Sequence, residues 1–280
     1  MKKIIFCCLY LYPLFCCCQS ESVYISPPVN LTAFAGELCV VDTSSLQVYY
    51  AFCASNIHDK ETYRDYFCLE FGRKTAKFYS EYMEDADRYA RDWLIKHPNS
   101  GSTPRTVAKG KYNGWSEYQY SQWYISGVKI TEYSCFPKWL TKYNCYHEEI
   151  YPDQSWEILP DTLTICGYLC QKANCHFRGR DYVAWFSSKI PLRNGPWKFG
   201  GLPGLILKVT DKNKLYSFEC VKIEKRKKAM YKYDYRLYKK MDRTNLLKLQ
   251  RKIHEDIGSL WGDTESRMGK TIHYEPLELK

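Results

Sequence analysis

The chain has 280 residues, of which 45% are hydrophobic, 16% aromatic and 26% charged. This is the composition of a globular protein, and it excludes an intrinsically disordered, collagen-like or coiled-coil chain. The net charge of +10 fits contact with an acidic surface, but the charge is not concentrated in the basic stripe of a nucleic-acid binder, so we expect no nucleic-acid partner.

Residues 1–20 predict a secretory signal peptide. Two lysines are followed by the apolar run IIFCCLYLYPLFCCC and then by a Gln-Ser pair. This order is that of a cleavable export signal, so we expect an exported protein of the periplasm or cell envelope, or one released outside the cell. Lipid anchoring at Cys17 is disfavoured, because Phe and Cys replace the small residues that normally precede a lipidated cysteine. Residues 21–45 follow as a leading strap or short edge strand.

Runs rich in β-branched and aromatic residues predict strands along most of the chain. They fall at residues 46–54, 66–71, 76–80, 118–125, 128–136, 143–150, 156–159, 164–173, 180–187, 205–210 and 216–223. Residues 66–80 are predicted to form one hairpin, and residues 164–187 a second, with its turn within residues 174–179. In the second hairpin we expect four buried side chains: Ile165, Leu169, Tyr182 and Trp185.

Two helices complete the predicted elements. Residues 82–96 keep a spacing near 3.6, with acids at the start and bases at the end, and residues 243–261 carry an apolar stripe. Short turns between strands favour antiparallel pairing. We therefore expect a mainly β (α+β) fold: a single curved antiparallel sheet or half-barrel with a mid-chain helix and a C-terminal amphipathic helix, both against one face. Residues 46–262 form one predicted domain, and residues 263–280 a C-terminal tail.

Residues 191–204 (PLRNGPWKFGGLPG) contain three prolines and four glycines, which exclude a helix and disfavour a regular strand. Pro203 and Gly204 fit the central positions of a type II turn, with Gly204 at positive φ. We interpret the segment first as a buried, rigid corner of the sheet. The alternative is a lip at which a ligand or partner binds, with Trp197 and Phe199 partly exposed. The candidate binding residues are Trp185, Trp197, Phe199, Leu202, Pro203 and Gly204.

This segment and its surroundings resemble one family of exported proteins. Residues 201–206 read GLPGLI, and the similarity extends to 69–72 (LExG), 77–80 (KFYS), 156 (W), 165–173 (IxGYxCxKA), 177–180 (FxGR), 184–186 (AWF), 190–191 (IP) and 195–199 (GPWKF), where x marks positions outside the match. The chain is thus similar to the GLPGLI family, found mainly in Bacteroidota, over roughly residues 45–255. The resemblance implies an exported, mostly β protein and no particular activity. Cys145, Cys166 and Cys175 depart from the family pattern, so no thiol or metal role is inherited at these positions.

Export makes disulfides chemically accessible. Nine cysteines follow the predicted signal peptide, and an odd number leaves at least one thiol unpaired. Cys166 and Cys170, if they share one strand, lie about 13 Å apart, which is too far for a bridge. The disulfide candidate is Cys135 with Cys145, because these two residues lie on successive predicted strands joined by a short connection.

Groups suited to catalysis or metal binding are sparse. The six histidines are dispersed and form neither an HxxxH nor an HExxH motif, so we expect no metal and no cofactor. Glu148 and Glu149 are neighbours on a predicted strand and point to opposite faces, which disfavours a glycosidase-type carboxylate pair.

Residues 225–240 interleave lysines and arginines with tyrosines. Such a pattern can hold nucleic acid or anionic headgroups, but for an exported protein we favour a solvated edge strand protected by lysines. The expected function is noncatalytic binding by a monomer, either of a hydrophobic or peptidic ligand or of an outer-membrane or other envelope protein. The alternative is an envelope hydrolase or thiol enzyme, which a pocket joining His147 or His176 to a cysteine or carboxylate would favour.

Overall fold

The described part of the chain is organised around one large β-sheet. The computed structural model describes residues 38–100, 120–136, 138–255, 260 and 276–279, so the predicted signal peptide and most of the leading strap lie outside the described residues. The strands are β1 (Cys39–Ser44), β2 (Leu46–Phe52), β3 (Asp65–Phe71), β4 (Ala76–Ser80), β5 (Ser121–Ser126), β6 (Lys129–Ser134), β7 (Cys145–Ile150), β8 (Glu157–Ile165), β9 (Tyr168–Phe177), β10 (Arg180–Ser187), β11 (Leu205–Asp211), β12 (Ser217–Glu224), β13 (Lys228–Lys232) and β14 (Lys239–Lys240). Short 3-10 helices occupy Lys60–Thr62 and Lys138–Tyr143.

The strand order confirms the predicted mainly β fold. The described residues form a 12-stranded sheet in the order β14-β7-β6-β5-β4-β3-β2-β12-β11-β10-β9-β8, and β1 pairs with β13 in a separate two-stranded sheet. Neighbours in the large sheet are antiparallel, apart from the parallel pair of β14 and β7. The sheet ends in two edges, β14 and β8, and is not closed into a barrel.

The two faces of the sheet carry different cores. Because side chains alternate along a strand, Val48, Tyr50 and Phe52 of β2 enter the largest core, whereas Tyr49 and Ala51 enter a tyrosine-rich cluster on the other side. The largest core also takes buried residues from β3 to β6 and from β9 to β12, so the sheet curls around it. We call the side that faces this core concave and the other side convex.

The mid-chain helix α1 (Glu81–Lys96) covers the convex face. Ser80 caps it by accepting a hydrogen bond from the Met83 backbone N–H, which satisfies one of the free amides of the first turn. Tyr82 then packs into the convex tyrosine cluster. The prediction of a helix at residues 82–96 is therefore confirmed.

The C-terminal helix α2 (Arg243–Glu255) lies on the concave side. Its Gln250 donates to Glu132 of β6, and Glu132 pairs across the strands with Trp123, a member of the concave core. The helix is confirmed, but the expectation that both helices lie on one face is wrong. Along β4 to β7, side chains alternate between the two faces of the sheet, and apolar side chains lie on both faces. Each face is therefore covered by a helix of its own.

The predicted strand at residues 164–173 is divided by a tight turn. Cys166 and Gly167 have φ of 48° and 79°, and they form a two-residue connection between β8 and β9. The turn predicted within residues 174–179 is present at Arg178 and Gly179. The first turn escaped prediction because a cysteine rarely adopts the left-handed conformation.

The unpredicted turn at Cys166 and Gly167 changes which side chains of this region are buried. Ile165 and Tyr182 are buried as predicted, and Trp185 is partly buried. Leu169 is 61% exposed, so its predicted burial is wrong. Leu169 pairs with Thr164 and points to the face opposite that of Tyr168 and Cys170, which contact the concave core, so it stays outside that core.

Only part of the basic and aromatic residues 225–240 forms the solvated, lysine-bearing edge that we expected, namely β14 (Lys239–Lys240) at one end of the large sheet. β13 pairs with β1, and three of the tyrosines of this region, Tyr233, Tyr235 and Tyr238, are buried with Tyr124 on the convex face. Their rings are therefore occupied in packing and are not available to stack on bases.

Candidate functional site

The Gly-Pro-rich segment, residues 191–204, is a buried corner between β10 and β11. Trp197 and Phe199 are both 0% exposed. The Trp197 ring centre lies 5.9 Å from that of Phe177, and the Phe199 ring centre lies 4.7 Å from that of Tyr182. These contacts support the interpretation as a structural corner. The lip interpretation required Trp197 and Phe199 to be partly exposed, and that exposure is absent.

The six candidate binding residues do not share one accessible surface. Trp197, Phe199, Leu202 and Gly204 are buried, Pro203 is exposed and Trp185 is half-buried. A ligand reaches the four buried residues only if the corner opens.

Pro203 and Gly204 form a tighter turn than the type II turn that we predicted. The Gly204 N–H donates to the Leu202 carbonyl at 2.8 Å, which closes a three-residue turn around a trans Pro203. The φ of Gly204 is 159°, positive as expected but almost extended. Glycine is required here for space, because a Cβ would lie 2.3 Å from the Ser187 carbonyl oxygen.

Side chains from the segment after β7 bind the backbone of the corner. Three consecutive carbonyl oxygens each accept a hydrogen bond from one of them. The pairs are Gln154 to Lys198 at 2.7 Å, Tyr151 to Phe199 at 2.6 Å and Trp156 to Gly200 at 2.7 Å. Glycine at 200 permits this approach, since an added Cβ would lie 2.3 Å from the Tyr151 hydroxyl oxygen. The irregular backbone is therefore satisfied although it is buried.

Lys198, inside the corner, is the centre of a buried ion-pair cluster. Its side chain is 2% exposed, and its Nζ lies 2.6 Å from a carboxylate oxygen of Glu278, 3.1 Å from Glu149 and 3.3 Å from Glu132. Glu132 lies on β6 and Glu149 on β7. The cluster therefore joins the β10–β11 corner to strands near the opposite edge of the sheet.

Two arginines complete the cluster. Arg178, in the β9–β10 turn, lies 2.5 Å from Glu149 and 3.9 Å from Glu278, and Arg243 of α2 lies 2.6 Å from Glu278. With Lys198, three cations face three carboxylates, so the buried charge is balanced.

Mutual attraction keeps this cluster ionised. Burial acts to lower the pKa of Lys198, but the neighbouring carboxylates outweigh burial and raise it above its ordinary value. Burial acts to raise the pKa of Glu149 and Glu278, but the Lys198 and Arg178 cations outweigh it and hold both below their ordinary value. A lysine that stays protonated is neither a nucleophile nor a base, so the arrangement clamps the fold and does not transfer protons.

The described residues of the predicted C-terminal tail are docked beside the corner. Leu277 is 0% exposed, and its carbonyl accepts from the Tyr182 hydroxyl at 2.8 Å. The Pro276 carbonyl accepts from Arg180 Nε at 2.8 Å. This anchoring positions the carboxylate of Glu278 beside the ammonium group of Lys198.

The two edges of the sheet differ in their exposed chemistry. β14 is two residues long and consists of exposed lysines, which discourages pairing with another strand. β8 is nine residues long and mostly exposed. With β9 it forms a hairpin arm, residues 157–177, in which Ile158, Leu163 and Leu169 are 45%, 39% and 61% exposed. The arm carries an edge that the described residues leave unpaired, and exposed apolar side chains on both faces, since Leu163 and Leu169 point to opposite sides of the hairpin.

Each of the two histidines singled out by the sequence lies near a carboxylate. His147 Nε2 is 4.0 Å from Glu149, and His176 Nδ1 is 2.8 Å from Asp181. Cys175 is buried in the concave core, on the opposite face of β9 from His176, so it does not assemble with that pair. Within the described ranges, no group of three His, Cys, Asp or Glu side chains is arranged to hold a metal ion.

Glu148 and Glu149 point to opposite faces as predicted. Glu148 pairs with Lys129 and Lys240 at the surface, whereas Glu149 belongs to the Lys198 cluster.

The predicted disulfide between Cys135 and Cys145 is wrong. The register pairs Ser134, not Cys135, with Cys145, and Cys145 is a free thiol. The shift of one residue places Cys135 in a convex cluster and Cys145 in the cluster under α2.

Sequence reasoning missed the Lys198 cluster. The available signal was a lysine between two aromatic residues in a segment expected to be buried, because a buried ammonium requires counterions. The identity of those counterions was not readable, since Glu278 is 80 residues away along the chain.

Part of this chain is similar in sequence to a domain of a glycanase. Residues 142–248 match the family model described as N-glycanase peptide, N-terminal domain. Solved structures of PNGF-II in the P21 and C2 space groups are similar to the chain at 13% and 14% identity, each with a TM-score of 0.47. The alignments cover 75% and 76% of this chain and 34% of the PNGF-II chains, so this chain spans about a third of their length. No curated protein matches the chain.

The helices of the described residues do not meet the requirements for a membrane span. Neither α1 nor α2 combines the length and the apolar character that crossing a bilayer requires.

Proposed function

We propose that this chain is an exported, noncatalytic binding protein of the cell envelope and a member of the GLPGLI family. We further propose that its binding surface is the hairpin arm. The single observation that carries the proposal is the exposed edge strand β8, whose Ile158 and Leu163 side chains are 45% and 39% exposed.

An exposed sheet edge binds an extended peptide by adding it as a further strand. Backbone hydrogen bonds supply affinity, and side chains of the edge supply specificity. β8 offers the length for such pairing, and the apolar side chains of the arm offer contacts for alternate residues of the peptide. Natural edges that are not used for binding are usually short or charged, as β14 is.

Trp185 is the sequence-predicted binding residue that lies beside this surface. It pairs with Lys172 of β9, and the Lys172 Nζ lies 5.9 Å from the Trp185 ring centre. Lys172 in turn lies 3.6 Å from Asp161 of β8. A bound segment is expected to contact this polar row as well as the apolar side chains.

The corner has a supporting role in this proposal. Its ion-pair cluster holds Arg178, at the far end of β9, against Glu149 and Glu278. The strands behind the arm are thereby fixed, so a peptide adds to a preformed edge without ordering it first.

The family match guides the choice of partners. It falls on residues 142–248, which include the whole hairpin arm, and its description names a domain of an N-glycanase. We therefore propose glycosylated envelope polypeptides as the first partners to test.

The test is capture of partners from a native envelope extract by the tagged full chain, followed by mass spectrometry of co-purifying proteins and lipids. Leu163→Lys combined with Leu169→Lys adds charge to the arm and is expected to abolish recovery of the partner. The matched control is Leu237→Lys, because Leu237 is 92% exposed and lies outside the arm.

Recovery that survives the double substitution, or that is lost equally in Leu237→Lys, contradicts the proposed surface. Turnover of a glycopeptide by the purified chain contradicts the noncatalytic role and favours the hydrolase alternative.

A further inference from the structure

Two cysteines that are distant in sequence meet beneath the β8–β9 turn. The Cys166 thiol donates to the carbonyl oxygen of Cys220 at 3.1 Å, across 54 positions of the chain, and the Cys220 thiol is directed to the Lys222 carbonyl at 3.7 Å. Cys166 is exposed, whereas Cys220 is 3% exposed. The solvent-accessible thiol of Cys166 therefore lies close to the buried residue Cys220.

The backbone is irregular at both cysteines. Cys166 has a φ of 48°, a left-handed conformation that is unfavourable for a residue other than glycine. Opposite it, the register of β12 against β2 shifts between Cys220 and Lys222. A β-bulge of this kind re-aims side chains and interrupts the ladder, which leaves the Cys220 carbonyl for the Cys166 thiol.

We propose that Cys166 and Cys220 are a redox-active pair that forms a reversible intramolecular disulfide, with a small-molecule disulfide of the glutathione type as the oxidant. The Cys166 thiolate attacks one sulfur of the oxidant, a mixed disulfide forms, and one small thiolate leaves. The Cys220 thiolate then attacks Cys166 Sγ, and the second small thiolate leaves. Two protein thiols are oxidised, one small disulfide is reduced to two thiols, and the two protons from the cysteines pass to the leaving thiolates.

The electrostatics favour this order of attack. Interaction with the neighbouring Cys220 thiol lowers the pKa of Cys166, and the same interaction, followed by burial, raises the pKa of Cys220. Cys166 is therefore the attacking thiol. Once Cys166 is held in the mixed disulfide it carries no negative charge, so Cys166 no longer raises the pKa of Cys220, and Cys220, whose pKa burial still raises, is deprotonated more readily for the second attack.

Cys170 is the competing partner. It is buried, and its thiol is directed to the Tyr168 carbonyl at 3.4 Å. The β8–β9 turn separates Cys166 from the strand that holds Cys170, and the thiol of Cys166 faces Cys220 instead. A bond to Cys220 ties the hairpin arm to β12, whereas a bond to Cys170 stays within the arm.

The experiment treats the reduced full chain with oxidised glutathione and maps the products after digestion with chymotrypsin. Cleavage after Tyr168 separates Cys166 from Cys170, so the two crosslinks are distinguishable. We expect one crosslinked pair of peptides containing Cys166 and Cys220, about 2 Da lighter than the sum of the reduced peptides. Because the bond closes a long loop, we expect a rise in melting temperature of about 5–10 °C that a reductant reverses.

Three variants sharpen the test. Cys170→Ala is expected to keep the crosslink and the shift in melting temperature, and Cys166→Ser to lose both. Cys220→Ala is expected to accumulate the mixed disulfide at Cys166, because the resolving thiol is missing. A crosslink from Cys166 to Cys170, a mixed disulfide that persists in the unaltered chain, or the absence of any reaction at Cys166 overturns the proposal.

Discussion

The corner at residues 191–204 and the hairpin arm at residues 157–177 show opposite relations between sequence and burial. The corner is rich in glycine and proline, yet Trp197 and Phe199 are 0% exposed and its carbonyls are bound by side chains. The arm consists of regular strands, yet Leu169 is 61% exposed. Regular secondary structure therefore does not identify the buried part of this molecule. In the corner, irregular backbone is buried because side chains satisfy its carbonyl groups.

The largest effect is expected for Lys198→Met. The substitution leaves Glu132, Glu149 and Glu278 buried beside fewer cations, and breaking a buried pair from one side costs about 3–5 kcal/mol. Urea denaturation measures the loss. The matched control is Lys208→Met, because Lys208 is 28% exposed in its pair with Glu219, and such pairs contribute about 1 kcal/mol or less. Equal losses in the two variants would remove the special role of the cluster.

Trp197→Ala separates a structural corner from a binding lip. Removal of a fully buried Trp is expected to lower the free energy of unfolding by about 3–5 kcal/mol. Partner capture at a temperature where the variant remains folded is expected to stay normal. Thermal melting together with capture yield gives the answer, and normal stability with lost capture would restore the lip interpretation.

Gly204→Val is expected to cost about 1–3 kcal/mol, because the new side chain meets the Ser187 carbonyl oxygen at 2.3 Å from its Cβ. Gly127→Ala serves as the comparison for glycine at a turn. Gly127 has a φ of 59° and open space around it, so its cost comes from conformation alone, about 1 kcal/mol. If Gly204→Val lowers the free energy of unfolding no more than Gly127→Ala does, the backbone of the corner moves to make room for the new side chain.

Acid is expected to weaken the corner before the arm. Glu149 and Glu278 have folded-state pKa values below their ordinary value of 4.5, so their contribution is complete above that pH. Below it the unfolded chain binds protons first, and the free energy of unfolding falls as the pH drops toward the folded-state pKa values. Lys198 has a raised pKa and loses its contribution only above its ordinary value of 10.5. Denaturation midpoints measured from pH 3 to 7 test this expectation. In Glu278→Gln, the midpoint is expected to depend less steeply on pH.

The smallest effect on stability is expected for Leu169→Lys. Substitutions at exposed sites without special contacts usually change the free energy of unfolding by about 0.5 kcal/mol or less. If urea denaturation shows a loss of more than about 2 kcal/mol in the free energy of unfolding, residues of the arm pack as tightly as those of the corner. That result would contradict the contrast between the two regions.

Local patterns predicted most elements of this fold. The spacing of residues 82–96 and the hairpin at residues 66–80 agree with α1, β3 and β4, because these elements depend on neighbours in sequence. The candidate site was predicted less well. The corner was identified from its glycines and prolines, but the turn at Cys166 and Gly167 was missed because its backbone conformation is unusual for cysteine.

The sequence by itself determined most of the strands, the two helices and the place of the irregular corner, since period, turn residues and chain-breaking residues are local properties. Only the tertiary structure decided which distant groups meet. The three carboxylates around Lys198, the approach of Cys166 to Cys220 and the register that separates Cys135 from Cys145 depend on how the sheet curls. One residue of register turns a side chain to the opposite face, so such pairs are fixed by the packing of the whole sheet.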